Sequence, residues 1–362
     1  MPASNQPLLF ISGYASAGQV GLQACRFDPV TGALSVLGSF SALEKPGYVV
    51  AHPNGRWLYA ASEIAKAEAG RYGEVFALRY AADAERASFE VINHQSSRGD
   101  SPCHLRLDHT GRWLLVANYT SGTAAIYPIQ EDGSLGEMTD FVEHHGHGPN
   151  AGRQEAAHAH SSIVTPDNRY AIVADLGLDQ LVIYALDAAA GKLRPHGHGD
   201  AEPGAGPRHT AFQPDHQHLY VANELNSTIA LYDYDAAAGT LTRQQVLSTL
   251  PAPDPNNTVA DIHMDPAGQR VFVSNRGHNS LAVFTIGADG RLAPAGIYAC
   301  GGNWPRNFAL APGGRFVLVG NQYSDVVSVL PLDGPAGLIG SAVATLAAIQ
   351  PGCIEFAPDH AA

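Results

Sequence analysis

The chain has 362 residues, more than one hydrophobic core usually serves, so two domains or a modular array is expected. Hydrophobic residues make up 45% and charged ones 15%, a globular composition that excludes a disordered chain. A formal net charge of −13 argues against wholesale binding of nucleic acid or an anionic membrane, while leaving local patches open.

In chain order, MPASNQPLLFISGYAS has no basic region, and its short apolar run is broken at Ser12. Neither a signal peptide nor a membrane span is expected there, and a soluble, cytoplasmic protein is. Residues 8–40 then read as three short strands, LLFISGY, VGLQACRFD and ALSVLGSF. From Lys45 a unit begins that returns to the end of the chain. It is KPGYVVAHPNGRWLYAASE at Lys45, SPCHLRLDHTGRWLLVANY at Ser101 and AHAHSSIVTPDNRYAIVADLG at Ala157. It continues as PRHTAFQPDHQHLYVANEL at Pro207, ADIHMDPAGQRVFVSNRG at Ala260 and PRNFALAPGGRFVLVGNQ at Pro305, with a half-unit, PGCIEFAPDH, at Pro351. The turn anchors Pro53, His109, Pro166, Pro214, Pro266, Pro312 and Pro358 recur every 46 to 57 residues.

Each unit is two alternating strands around a turn. A third strand such as STIALYDYD follows, then a fourth such as TLTRQQVLST. Four strands at this period are the signature of a β-propeller blade. The expected fold is therefore all-β: a seven-bladed propeller of four-stranded antiparallel blades, one domain over residues 1–362. The last half-unit supplies one strand, and residues 8–40 supply the three it lacks, so the termini should pair and close the ring. A β-helix would have a much shorter period, and a sandwich would not repeat the turn seven times.

In a blade the first strand lines the central channel, and its start lies at the same end as the finish of the second. Six residues before each anchor stand Gly47, Cys103, His160, Arg208, Ala260, Arg306 and Gly352. One place on stand Tyr48, His104, Ser161, His209, Asp261, Asn307 and Cys353. The second strands finish at Glu63, Asn118, Asp175, Glu224, Arg276 and Gln322. These residues should gather at one channel mouth. The ring differs blade by blade, as a site would and a purely structural ring would not. Arg208, Arg276 and Arg306 make the mouth cationic in an acidic protein, which suits an anionic small molecule held by guanidinium forks. The competing reading of Arg208 and Glu224 is a salt bridge that only pins the blade.

The segments Arg153–Asp179, Gly204–Ile229 and Ala260–Phe284 together resemble the seven-bladed lactonase family, which includes the propeller type of 6-phosphogluconolactonase and the fungal carboxy-muconate cyclase. The likeness spans nearly the whole chain. It implies a cofactor-free fold with a site in the channel mouth, and it implies functional roles for His160, Arg208, Glu224 and Arg276. These are the four residues that the blade geometry selects. One departure is the absence of a proline before His158-Ala159-His160.

Lactone opening needs a base for water, a place for an oxyanion and a proton for the departing alkoxide. Arg208 and Arg276 can hold the oxyanion or an anionic substituent. Glu224, between arginines, should be ionised, and His160, near them, should be neutral. The sequence leaves open which of the two is the base. His104, His209, Asp261 and His263 are expected to line the pocket and, with Arg306, to contact substrate. The expected reaction is hydrolysis of an anionic sugar lactone, foremost 6-phosphogluconolactone, by a monomer or weak homo-oligomer. The alternatives are a lactonising cyclase acting on a carboxylated muconate and a non-catalytic scaffold. His144, His145, His147 and His158 lack the regular spacing of a metal site and read as a solvated loop capping the channel. The four cysteines, Cys25, Cys103, Cys300 and Cys353, form no CxxC pair and read as buried free thiols. No Gly-x-Ser-x-Gly elbow is present.

Overall fold

The computed structural model describes residues 6–333 and 337–358; Met1–Asn5 of the N-terminal segment and the final Asp-His of PGCIEFAPDH lie outside them. Seven antiparallel sheets follow one another as blades. Blades 1 to 6 begin with the innermost strands Pro46–Ala51, Pro102–Leu107, Ala159–Val164, Pro207–Phe212, Thr258–Met264 and Pro305–Leu310. Blade 7 takes its innermost strand from the end of the chain, Pro351–Phe356, and its other three from the start, Leu8–Gly13, Leu22–Phe27 and Leu34–Phe40. Leu9 pairs with Phe356 and Ile11 with Ile354, so the termini close the ring as the half-unit requires. Blade 6 departs slightly: Val326–Asp333 pairs with two short segments, Ala344–Ala347 and Leu338–Ile339.

The inner strands bury apolar side chains on both faces, because every blade packs against two neighbours, while outermost strands such as Lys192–Asp200 are largely exposed. One hydrophobic cluster fills each of the seven interfaces. Between blades 1 and 2 it contains Tyr59, Val75, Leu114 and Tyr127, and between blades 7 and 1 it contains Phe10, Leu22, Leu58 and Leu78. The ring is therefore held by packing all the way round, including across the seam.

In most blades a glycine in the turn between third and fourth strands keys the interface with the preceding blade; blade 1, whose turn is residues 83–86, has none. In blade 2, Gly133 sits at φ +90°, and a Cβ there would lie 2.5 Å from the Trp57 indole of blade 1. Equivalent glycines meet Tyr170 (from Gly239), His218 (from Gly290) and Phe316 (from Gly32) of the preceding blade. Gly133→Ala should therefore cost about 2–4 kcal/mol, combining an unfavourable left-handed backbone with overpacking. Urea unfolding would show it, and an unchanged midpoint would refute this account of the interface.

Two local features aim residues at the channel. First, the pairing of first and second strands is interrupted in every blade by a bulge, and the displaced residue is Gly47, Cys103, His160, Arg208, Ala260 with Asp261, Arg306 or Gly352. A bulge leaves its extra residue unpaired and re-aims the side chain, a device concentrated beside active sites. Second, the Asn that ends most second strands ties back to the third: Asn118 Nδ2 donates to Thr123 (3.0 Å), Asn223 to Thr228 (2.9 Å) and Asn275 to Ser280 (3.2 Å). The residue after this anchored Asn is delivered to the channel mouth. The register corrects the sequence alignment at two places. Asn118 and Asp175 pair with Pro102 and Ala159, as Asn223 pairs with Pro207, so Tyr119 and Leu176 are the true counterparts of Glu224.

Candidate active site

At the mouth where first strands begin, Glu224 is the hub. Its Oε2 accepts from Arg208 Nε at 3.0 Å and lies 2.8 Å from Arg276 Nη2, while Oε1 accepts from Arg153 Nη2 at 2.6 Å. His160 Nε2 stands 3.9 Å from the same Oε2. Blades 3, 4 and 5 thus bring His160, Arg208, Glu224 and Arg276 together, and each is at most 5% exposed. Both buried guanidiniums are also fixed to blade 5: Arg208 Nη1 donates to Ala260 O (2.6 Å) and Arg276 Nη2 to Val259 O (2.8 Å). Arg208 and Glu224 do pin blade 4, as the competing reading of that pair held, but both also reach blade 5, Arg208 through Ala260 O and Glu224 through Arg276, beside the His160 imidazole. Arg276 Nε is buried with no acceptor among the described residues, and Trp304 lies under the guanidinium, 5.6 Å from ring centroid to carbon.

The protonation states follow from this packing. Burial opposes ionisation of Glu224, but the Arg276, Arg208 and Arg153 charges outweigh it and draw its pKa down to about 2. Burial and then the cations, Arg208 foremost, hold His160 well below the ordinary imidazole range, so it is neutral. Burial lowers Arg276 to about 10, which leaves it charged at neutral pH. Among the described residues neither nitrogen of His160 makes a strong hydrogen bond; Nδ1 approaches the Cys103 thiol at 3.8 Å. The sequence expectations of an ionised Glu224 and a neutral His160 agree with this geometry.

Arg306 lies at the same mouth on blade 6, 3.6 Å from Glu63 and with its guanidinium carbon 4.8 Å from the centre of the Tyr14 ring. Tyr14 donates to Glu63 at 2.6 Å. The remaining candidates lie deeper in the channel. His104 and His209 stack edge to face at 5.2 Å, and His160 meets His209 at 5.5 Å, so the three imidazoles form a layer across the channel. Asp261 bonds His209 Nδ1 (2.7 Å) on one side and His263 Nε2 (2.9 Å) on the other. His104, His209, Asp261 and His263 line a cavity of about 490 Å³ with Tyr48 and Ser162. The turn residues His109, Pro166 and Pro214 also line it, so it opens at the opposite end from Glu224. His209 Nε2 lies 3.3 Å from Arg208 Nη1, which links this layer to the hub.

Sequence reasoning missed Arg153. It comes from the loop between blades 2 and 3, whose register no strand pattern specifies. The same loop differs from the solvated cap expected of it. His144 is buried with Nδ1 2.6 Å from Asp175 Oδ2, and buried His158 stacks on Tyr119 with rings 4.6 Å apart; only His145 and His147 are exposed. Among the described residues no three His, Cys, Asp or Glu side chains converge as a metal site, and all four cysteines are free and buried.

A family model described as "Lactonase, 7-bladed beta-propeller" matches residues 8–356. The 6-phosphogluconolactonase of Bacillus subtilis (strain 168) is 34% identical over 349 residues, 96% of this chain and 97% of that protein. Among solved structures, the periplasmic gluconolactonase of Pseudomonas aeruginosa superposes with a TM-score of 0.90 at 28% identity, covering 97% of this chain and 99% of that one. A protein from Lactobacillus plantarum superposes with a TM-score of 0.88 at 32% identity over 97% and 99% of the two chains.

Proposed function

The chain belongs to the seven-bladed β-propeller lactonase family, and from that premise we propose that it is a carboxylic-ester hydrolase that opens 6-phosphogluconolactone to 6-phosphogluconate. One observation supports the site assignment above the others: a carboxylate held ionised by three guanidiniums lies 3.9 Å from a neutral imidazole with no strong hydrogen bond of its own.

In this reading His160 is the base. It takes a proton from water as the water oxygen attacks the lactone carbonyl, and the neighbouring Glu224 carboxylate stabilises the imidazolium formed. Arg208 and Arg276 hold the tetrahedral oxyanion; the buried Nε–H of Arg276, without an acceptor among the described residues, is a donor suited to such an oxygen. The intermediate collapses, the ring C–O bond breaks, and the imidazolium returns its proton to the alkoxide. Glu224, with a pKa near 2, is too weak a base for the first step and serves as the electrostatic partner. Arg306 helps bind the anionic substrate, while His104, His209, Asp261 and His263 support Arg208 and His160 from beneath. The free cysteines suit a reducing, cytoplasmic setting. No helix among the described residues is long and apolar enough to cross a membrane.

Two experiments test this. Purified protein should open 6-phosphogluconolactone far faster than buffer does, and failure to do so removes the reading. The pH dependence carries a sign. His160 must be neutral and its pKa is depressed, so kcat should hold as pH falls through about 6.5, the ordinary imidazole value, and decline only below it. An acid limb centred at or above 6.5 would exclude His160 as the base.

A further inference from the structure

Of the three guanidiniums on Glu224, two are locked and one is not. The Arg208 and Arg276 side chains are 2% and 6% exposed, and each also donates to a blade 5 carbonyl. The Arg153 side chain is 41% exposed and its guanidinium has no backbone anchor among the described residues. Its contacts, to Glu224 Oε1 at 2.6 Å and the Tyr119 hydroxyl at 3.3 Å, both run through Nη2. Its Nε–H and both Nη1–H donors have no protein acceptor among the described residues. Its loop is itself well held: Gln154, the next residue, donates to Leu176 O and Asp179 Oδ1, both at 2.8 Å. The arginine is therefore presented at the mouth by a fixed backbone, with only its tip committed to Glu224.

The charge balance of the mouth favours a second anion. Four guanidiniums, from Arg153, Arg208, Arg276 and Arg306, face the carboxylates Glu63 and Glu224, with the exposed Glu155 near Arg153 as a third negative charge, so the mouth stays net positive. A neutral sugar ring cannot compete with a carboxylate for Arg153. A phosphate dianion can, because guanidinium–phosphate contacts are charge-assisted and exploit the unused donors.

We propose that Arg153 is the specificity residue for an anionic, phosphate-bearing lactone, and that it acts as a latch which the substrate's phosphate draws off Glu224. This rests on the lactonase reading above. With the latch open, Glu224 keeps two counter-charges in place of three and stabilises the imidazolium of His160 more strongly. Binding of the correct substituent thereby switches on the proton transfer, and a lactone lacking the phosphate leaves the latch closed.

The test compares wild type, Arg153→Ala and Arg153→Lys on 6-phosphogluconolactone and on the same lactone without its phosphate. In Arg153→Ala the ratio of kcat/KM for the phosphorylated over the plain lactone should fall about 10- to 150-fold, the range for losing a hydrogen bond to a charged group. Part of the fall should come from faster turnover of the plain lactone, since its latch is gone. Arg153→Lys should recover some of the ratio, keeping the charge but not the fork. A ratio that does not move, or an equal loss on both lactones, overturns the proposal. Calorimetric titration with inorganic phosphate reads the anion site without turnover: binding should be measurable in wild type and lost in Arg153→Ala. If wild type opens neither lactone but phosphate binding still depends on Arg153, the lactonase reading falls and the anion site stands. If phosphate binds both proteins equally, the anion site falls.

Discussion

Replacing Glu224 with alanine should reduce kcat/KM by about 10³-fold or more and destabilise the fold by about 3–5 kcal/mol. The rate loss follows because this one carboxylate fixes both Arg208 and Arg276 and stands beside His160, so its removal disturbs oxyanion binding and proton transfer together. The stability loss follows because two buried arginines would be left without their counter-charge. Glu224→Gln separates the two effects by keeping shape while losing charge. The pH dependence gives a further check. A carboxyl lowered from 4.5 to about 2 by folding contributes about 3 kcal/mol, fully present above pH 4.5 and lost as pH falls towards 2. Wild type should therefore lose stability over that acid window, and Glu224→Gln should lose less. Denaturant unfolding at a series of pH values measures this directly. Matching pH slopes would contradict the assignment of Glu224 as the ionised hub.

The second large effect is expected at His160. His160→Gln should lower kcat by 10²- to 10⁴-fold, the usual weight of a positioned general base, with a smaller change in KM because the arginines that bind the anion remain. It should also remove the acid limb of the pH profile, since no titrating base is left. Stability should change little: among the described residues the imidazole makes a weak contact to the Cys103 thiol, a 3.9 Å approach to Glu224 and edge contacts to Tyr119 and His209. A variant with near-normal kcat would assign the base elsewhere. A variant with lost activity but an unshifted pH profile would make His160 a positioning residue.

Much of this is legible in the sequence. The seven-fold recurrence of the turn anchor gave the blades, and the unfinished unit at Pro351 gave the seam. First strands that begin at a common mouth gave His160, Arg208 and Arg306, and second strands that end there gave Glu224 and Arg276. What strand alternation could not show is that each first strand carries a bulge at the mouth. Strict alternation sends Arg208 and His209 to opposite faces, yet the bulge lets both serve the channel, one at the hub and one in the imidazole layer beneath. A proline just before the bulged residue at Pro46, Pro102, Pro207, Pro305 and Pro351 was the available signal, since proline suits the first position of a strand. Arg153 was less accessible. It lies in a loop with no period, and its role depends on how buried His144, His158 and Gln154 anchor that loop, which composition alone disguised as a solvated histidine-rich segment.

The channel has two ends, and the Glu224 cluster lies at one of them. A crystal structure of the protein soaked with 6-phosphogluconate should show the product carboxylate within hydrogen-bond distance of Arg208 or Arg276 and beside His160, with the phosphate towards Arg153. Product lodged instead in the cavity behind His104 and His263, with the Glu224 cluster untouched, would contradict this assignment of the site.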